Sequence, residues 1–233
     1  MNNNPTFLYN ASVSCMYLGK IEKSIRELNA SEINGLHYDV VDGIFNDCFI
    51  FGDKILQVIH EYTKLPILVH LACENPFPYL KPMIQNGANE IAIHYEAAVD
   101  CIEVLNSIKE SGACAVLAFK CDTAPPEDFL SLAKAADKIL KLTVNPGYAG
   151  QTIHLDALEH VRQMRELLNQ ANLYRRIEVD GNINQATIKR CIEAGADTFT
   201  LGSSGLFLQE DTMQHNLKRI KNIGGSFHGN IIK

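Results

Sequence analysis

No apolar run in this chain is long enough to cross a bilayer; the longest, Ala113–Phe119, falls far short of the roughly 20 residues a spanning helix needs. The start, Met1 to Pro5, lacks a positive segment followed by an apolar core, so no signal peptide is expected. No cluster of Lys or Arg stands out and the formal net charge is −6, which speaks against nucleic acid or an anionic membrane as a main partner. Cysteine pairing is missing too. The seven cysteines (15, 48, 73, 101, 114, 121 and 191) are scattered and odd in number, with no C-x-x-C. They read as small core residues in a reducing cytoplasm rather than a disulfide framework, and a cytoplasmic location is expected. A small anionic substrate is compatible with all of this, because backbone N–H groups can hold a phosphate whatever the net charge.

What is present is ordinary globular composition, 46% hydrophobic and 21% charged over 233 residues. Its organisation is an alternation. Short runs rich in Val, Ile and Leu predict strands at Phe7–Val13, Gly35–Val40, Ile67–Leu71, Glu90–His94, Ala113–Phe119, Lys138–Thr143, Arg176–Val179 and Thr198–Leu201. Helical spacing occupies the stretches between them, including Ile21–Asn29, Lys54–Tyr62, Tyr79–Asn86, Val99–Ser111, Glu127–Ala135, Leu155–Asn169 and Gln185–Ala194. Asn86-Gly87-Ala88, Ser111-Gly112-Ala113 and Ala194-Gly195-Ala196 each put glycine just past a helix and before a strand. Eight strands each followed by a helix imply parallel pairing with right-handed crossovers. An open doubly wound sheet and a (β/α)8 barrel both satisfy that pattern. Even spacing and the lack of a Pro/Gly-rich linker favour the barrel, as one α/β domain over residues 1–233.

In a barrel, chemistry belongs at the carboxyl ends of the strands. His37 and Asp39 stand two apart on one predicted strand, so both face one side while Tyr38 faces the other. Burying such groups unpaired is expensive, so they form either an ion pair or part of a metal site. His70, His94 and Asp180 end other strands at the same rim. Gly/Ser-bearing turns follow Asp180 and Leu201, where this architecture often binds phosphate. Taken alone, His70 could be a core histidine bonded to a carbonyl, Asp180-Gly181 a plain turn and Ser12 a turn serine.

These residues carry a resemblance. Ser12-Val-Ser-Cys-Met16, His37-x-Asp39-Val-x-Asp42-Gly43, Val69-His70-Leu71, His94-x-Glu96, Val144-Asn-Pro-Gly-Tyr-Ala-Gly-Gln151, Glu178-Val-Asp-Gly181 and Gly202-Ser-Ser-Gly-Leu-Phe207 occur in order over essentially the whole chain. The set resembles the ribulose-phosphate 3-epimerases and the similar D-allulose-6-phosphate 3-epimerases; Asn184-Gln-Ala-Thr187 and the Ser-Gly-Leu-Phe ending look closer to the second group. The resemblance implies an isomerase that inverts C3 of a ketose phosphate, D-ribulose 5-phosphate to D-xylulose 5-phosphate. D-allulose 6-phosphate to D-fructose 6-phosphate is the alternative, and a phosphosugar-binding homologue without turnover a further one. It also implies one divalent metal held by His37, Asp39, His70 and Asp180. Zn2+ is the first choice, and Fe2+, Co2+ or Mn2+ suit the same ligand types.

Asp39 and Asp180 are implied to exchange acid and base roles across an enediolate that the metal stabilises. Ser12, His70, Gly147, Tyr148, Ala149, Gly150, Gly181, Asn182, Gly202, Ser203 and Ser204 would contact the sugar or its phosphate. Ser204–Phe207 could open a short helix whose N-terminus faces the anion. His94 is expected to be a satisfied structural histidine, and the assembly a homo-oligomer. The chain departs from the family pattern at Val41, Ala72 and Leu142, where methionines are usual, and at Asn10-Ala11, Ile44–Asp47, Lys120-Cys121 and Asn182. These departures leave the four ligand positions in place.

Overall fold

A computed structural model describes residues 6–147 and 150–225. Nine strands and eight α-helices alternate along it. In chain order they are β1 (Leu8–Ser12), α1 (Ile21–Asn29), β2 (Gly35–Asp42), β3 (Phe49–Ile50), α2 (Asp53–Tyr62), β4 (Ile67–Ala72), α3 (Phe77–Gln85), β5 (Glu90–His94) and α4 (Cys101–Glu110). There follow β6 (Cys114–Phe119), α5 (Phe129–Ala135), β7 (Lys138–Leu142), α6 (Leu155–Gln170), β8 (Arg176–Asp180), α7 (Ile188–Glu193), β9 (Thr198–Leu201) and α8 (Met213–Gly225).

Eight of the strands pair in parallel around a ring, β1-β2-β4-β5-β6-β7-β8-β9, and β9 closes onto β1. The expected (β/α)8 barrel is therefore the fold, and every predicted strand lies within it. The short β3 was not expected from the sequence. It pairs antiparallel with the end of β2, Val41 opposite Ile50 and Asp42 opposite Phe49, and brings Phe49, Ile50 and Phe51 to the carboxyl-end mouth. Among the described residues no helix is long and apolar enough to cross a membrane.

Local chemistry explains the punctuation. The Asp100 side chain accepts hydrogen bonds from the N–H groups of Ile102 and Glu103, capping α4. At the end of α3, Gly87 takes φ +109° while its N–H reaches the Ile84 carbonyl and the Ala88 N–H reaches that of Met83. A Cβ at Gly87 would also lie 2.3 Å from the His60 ring, so glycine is required twice over.

Alternation along each strand divides the barrel into two cores. Outward residues such as Leu36, Tyr38, Val69, Ile91, Leu117 and Ile139 pack in one large cluster with the helices. Inside, Leu68, Ala92, Val116, Ala118 and Leu140 fill one side of the barrel. The opposite side, on β8, β9, β1 and β2, is polar although buried: Asn10, His37, Glu178, Thr198 and Thr200. Buried polar groups need partners, so that side of the interior decides where chemistry can sit.

Candidate metal and acid–base site

The pleat of β2 turns His37 and Asp39 inward and Tyr38 outward, as period two requires. Tyr38 donates its hydroxyl to the Gly52 carbonyl at 2.6 Å and stacks on Phe51, so it anchors the base of the segment that follows β3. Parallel pairing puts His70 of β4 directly beside Asp39. Asp180 ends β8, three places round the ring from β2 on the other side. The four residues offer ligand atoms that all lie within 4.8 Å of one another.

The separations are informative. His37 Nε2 lies 3.4 Å from His70 Nδ1, 3.2 Å from Asp39 Oδ1 and 3.6 Å from Asp180 Oδ2, and His70 Nδ1 lies 3.1 Å from Asp39 Oδ1. Ligands about 2.0–2.1 Å from a tetrahedral ion stand about 3.3–3.4 Å apart, so these edges fit a small divalent ion. The donor set therefore could hold a divalent metal.

Each imidazole is held on its far edge by another buried group. His37 Nδ1 faces Glu178 Oε1 at 3.3 Å, and the same oxygen accepts from Thr200 Oγ1 at 2.6 Å and Asn10 Nδ2 at 3.1 Å. Glu178 Oε2 pairs with Lys138 Nζ at 2.8 Å, and Lys138 also pairs with Glu90. His70 Nε2 lies 2.8 Å from His94 Nε2, and His94 Nδ1 lies 2.9 Å from Glu96 Oε2. Burial, with His70 alongside, pushes His94 down to about 4 and keeps it neutral. Burial would raise Glu96, but its hydrogen bonds and the His94 contact outweigh that and hold it at about 2.

The two aspartates are driven apart. Burial raises Asp39, but His37 and His70 more than offset it, leaving this carboxyl well below the usual range. Ser14 Oγ donates to Asp39 Oδ2 at 2.8 Å and itself pairs with Ser12 Oγ at 2.9 Å. Asp180 is pushed up to about 6 by burial and by the Asp39 charge, with His37 and His70 pulling the other way. A carboxyl held ionised beside one that takes up a proton at about 6 is an arrangement suited to acid–base exchange. Burial opposes protonation of His37, yet Asp39 and Asp180 outweigh it and lift this imidazole well above its ordinary value.

Asp39, His70 and Asp180 open onto a cavity of about 520 Å³ at the barrel mouth. Val41, Ala72 and Leu142 form its wall, and Leu18, Phe49, Ile50 and Phe51 an apolar side. Gly147, Gly150, Gly181, Asn182, Gly202, Ser203 and Ser204 line its far end. Gly181 has φ +119°, and a Cβ there would lie 2.5 Å from Val144 Cγ2. Asn182 follows at φ +51°, so the backbone reverses immediately after Asp180. From the other side of the mouth, Asn46 donates to the Pro146 carbonyl, tying the segment after β2 to the one after β7.

A family model described as Ribulose-phosphate 3 epimerase family matches residues 9–207. The chain belongs to that family. Ribulose-phosphate 3-epimerase of Chlamydia muridarum is 33% identical over 223 residues, spanning 94% of this chain and 93% of its own. That of Aquifex aeolicus is 34% identical over 191 residues, 81% of this chain and 83% of its own. Among solved structures, 3-hexulose-6-phosphate synthase from Salmonella typhimurium superposes with TM-score 0.65 at 16% identity, covering 93% of this chain and 97% of that one, which is likeness of fold.

Against this epimerase-family background, the fold brings His37, Asp39, His70 and Asp180 together, and Ser12 with the glycine and serine positions lines the same cavity. Tyr148 and Ala149 lie outside the described residues. The short helix expected from Ser204 to Phe207 is instead a turn. Gly205 and Phe207 both donate to the Gly202 carbonyl, and no ladder continues from them. Sequence reasoning passed over Ser14, Glu178, Thr200 and Lys138. Glu178 and Thr200 were findable, because Glu178 stands two before Asp180 on a strand and so must share its inward face.

Proposed function

We propose that the chain is a metal-dependent ketose-phosphate 3-epimerase acting on D-ribulose 5-phosphate and giving D-xylulose 5-phosphate. The observation that carries the reading is the convergence of His37, Asp39, His70 and Asp180, whose ligand atoms all lie within 4.8 Å of one another, at a cavity lined with glycine and serine. The family and the names of the relatives support the pentulose phosphate. The proposed ion is Zn2+, with Co2+, Fe2+ or Mn2+ as replacements.

The two carboxylates supply the proton traffic. Asp39, ionised and steadied by Ser14, takes the C3 proton from one face of the sugar. The C–H electron pair moves into the C2–C3 bond, and negative charge develops on the C2 oxygen. Asp180 returns a proton to C3 from the opposite face, and the electrons fall back to restore the carbonyl. In the reverse direction the two exchange roles. A divalent ion in the His/Asp cluster would supply positive charge against the developing oxyanion, which a carboxylate base needs for so weak a carbon acid. Backbone N–H groups of Gly181-Asn182 and Gly202–Ser204 are proposed to hold the phosphate.

D-allulose 6-phosphate is the second reading, because Val41, Ala72 and Leu142 line the cavity where methionines are usual, and Val41 and Ala72 are the smaller side chains. Measuring kcat/KM for the two sugar phosphates side by side decides between them. A preference of tenfold or more for the six-carbon sugar would replace the pentulose reading. Tight binding of either without turnover would reduce the chain to a phosphosugar-binding protein.

A further inference from the structure

His70 approaches the ligand cluster through Nδ1, whereas His37 uses Nε2. A ring nitrogen can donate its lone pair to a cation only if the proton sits on the other nitrogen. For His70 that other nitrogen is Nε2, and its neighbour is neither a carboxylate nor a backbone carbonyl but His94 Nε2 at 2.8 Å. A second imidazole can donate or accept, so by itself it leaves the His70 tautomer open.

The choice is made one residue further out. Glu96 Oε1 accepts the Lys120 backbone N–H at 2.7 Å, and Oε2 faces His94 Nδ1 at 2.9 Å. An ionised carboxylate only accepts, so the proton of His94 must lie on Nδ1. His94 Nε2 is then a lone pair and accepts from His70 Nε2. When a cation displaces the proton that His70 Nδ1 shares with Asp39 Oδ1 at 3.1 Å, His70 therefore stays neutral with Nδ1 as its ligand atom. His94 is fully buried, and Phe45 packs its ring 4.6 Å away, so no second arrangement is solvated. We infer that His94 and Glu96 are positioning residues that fix the tautomer of His70, and so the nitrogen with which it meets a metal. The inference rests on the metal reading above.

Glu96→Gln tests it with almost no change of volume. An amide has one oxygen, which the Lys120 N–H requires; its NH2 would face His94 Nδ1. His94 would then carry its proton on Nε2, and His70 would be driven to the tautomer with a proton in the ligand cluster. Co2+ titration of the E96Q protein, followed by d–d absorption, is expected to give affinity about 10–100-fold below the unsubstituted protein. A loss of less than about tenfold overturns the inference and leaves the metal reading standing. Failure of the unsubstituted protein to bind Co2+ overturns both. Should E96Q not fold, imidazole 15N–1H spectra of the unsubstituted Zn2+-loaded protein decide. Protonated His70 Nε2 and His94 Nδ1 are expected, and a metal bond through His70 Nε2 overturns the inference.

Discussion

Glu178→Gln is a demanding test of how the site is supported, because one carboxylate serves four partners inside the barrel. Its Oε1 faces His37 Nδ1 and accepts from Thr200 and Asn10, while Oε2 pairs with Lys138, and its side chain is fully buried. The surroundings hold the carboxyl well below its ordinary value: burial opposes ionisation, and Lys138 and His37 outweigh it. Removing one member of a buried ion pair typically costs about 3–5 kcal/mol, because the other charge is stranded. Here Lys138 keeps Glu90, so the lower end, about 3 kcal/mol, is expected. For a chain of this size about 3 kcal/mol corresponds to a fall in Tm of roughly 6–12 °C. An amide also lacks the charge that orients His37, and a 10–100-fold loss of metal affinity should accompany the destabilisation. Calorimetry of the chelator-treated protein and a separate metal titration read the two effects independently. A companion double variant, Lys138→Met with Glu178→Gln, should recover part of the stability but none of the metal affinity. A Tm within 2 °C of the unsubstituted protein, with unchanged affinity, would refute the assignment of Glu178 as the buried support of His37.

Two further outcomes follow from the same groups. Because Asp180 is raised to about 6 and His37 well above its ordinary value, both bind protons that a metal must displace as pH falls. Zn2+ binding should thus release a proton from His37 at pH 7 and more protons at pH 5, when Asp180 is also protonated; calorimetry in buffers of differing ionisation enthalpy would contradict this if fewer protons left at pH 5. Leu140 is fully buried in the apolar half of the barrel interior, and Leu140→Ala should cost about 2–5 kcal/mol by denaturant titration, a loss under 1 kcal/mol meaning that the interior is not close-packed there.

The parts of this fold that were legible in the sequence are those governed by local rules. Period two put His37 and Asp39 on one face and Tyr38 on the other, and glycine marked the ends of α3, α4 and α7. The ring of strands followed from their number and the helices between them. What stayed hidden depends on partners remote in sequence. Asn10 meets Glu178 across 168 positions, and His37 meets it across 141. Lys138 opens the predicted strand Lys138–Thr143, and nothing local to it foretells its pairing with Glu178 and Glu90. Phe49–Ile50 is too short to show a period, and it forms a strand only because the end of β2 offers an edge. At Ser204–Phe207 the expected short helix is replaced by a turn gathered on the Gly202 carbonyl.

The central claim is that two aspartates and a divalent ion in this cluster epimerise a ketose phosphate at C3. The direct measurement is the conversion of D-ribulose 5-phosphate in deuterated water, followed by NMR at C3 with and without a chelator. Deuterium should enter C3 of the xylulose product in every turnover, cease when the metal is removed, and resume when Zn2+ or Co2+ is restored. Conversion without deuterium at C3, or at an unchanged rate after chelation, would contradict it.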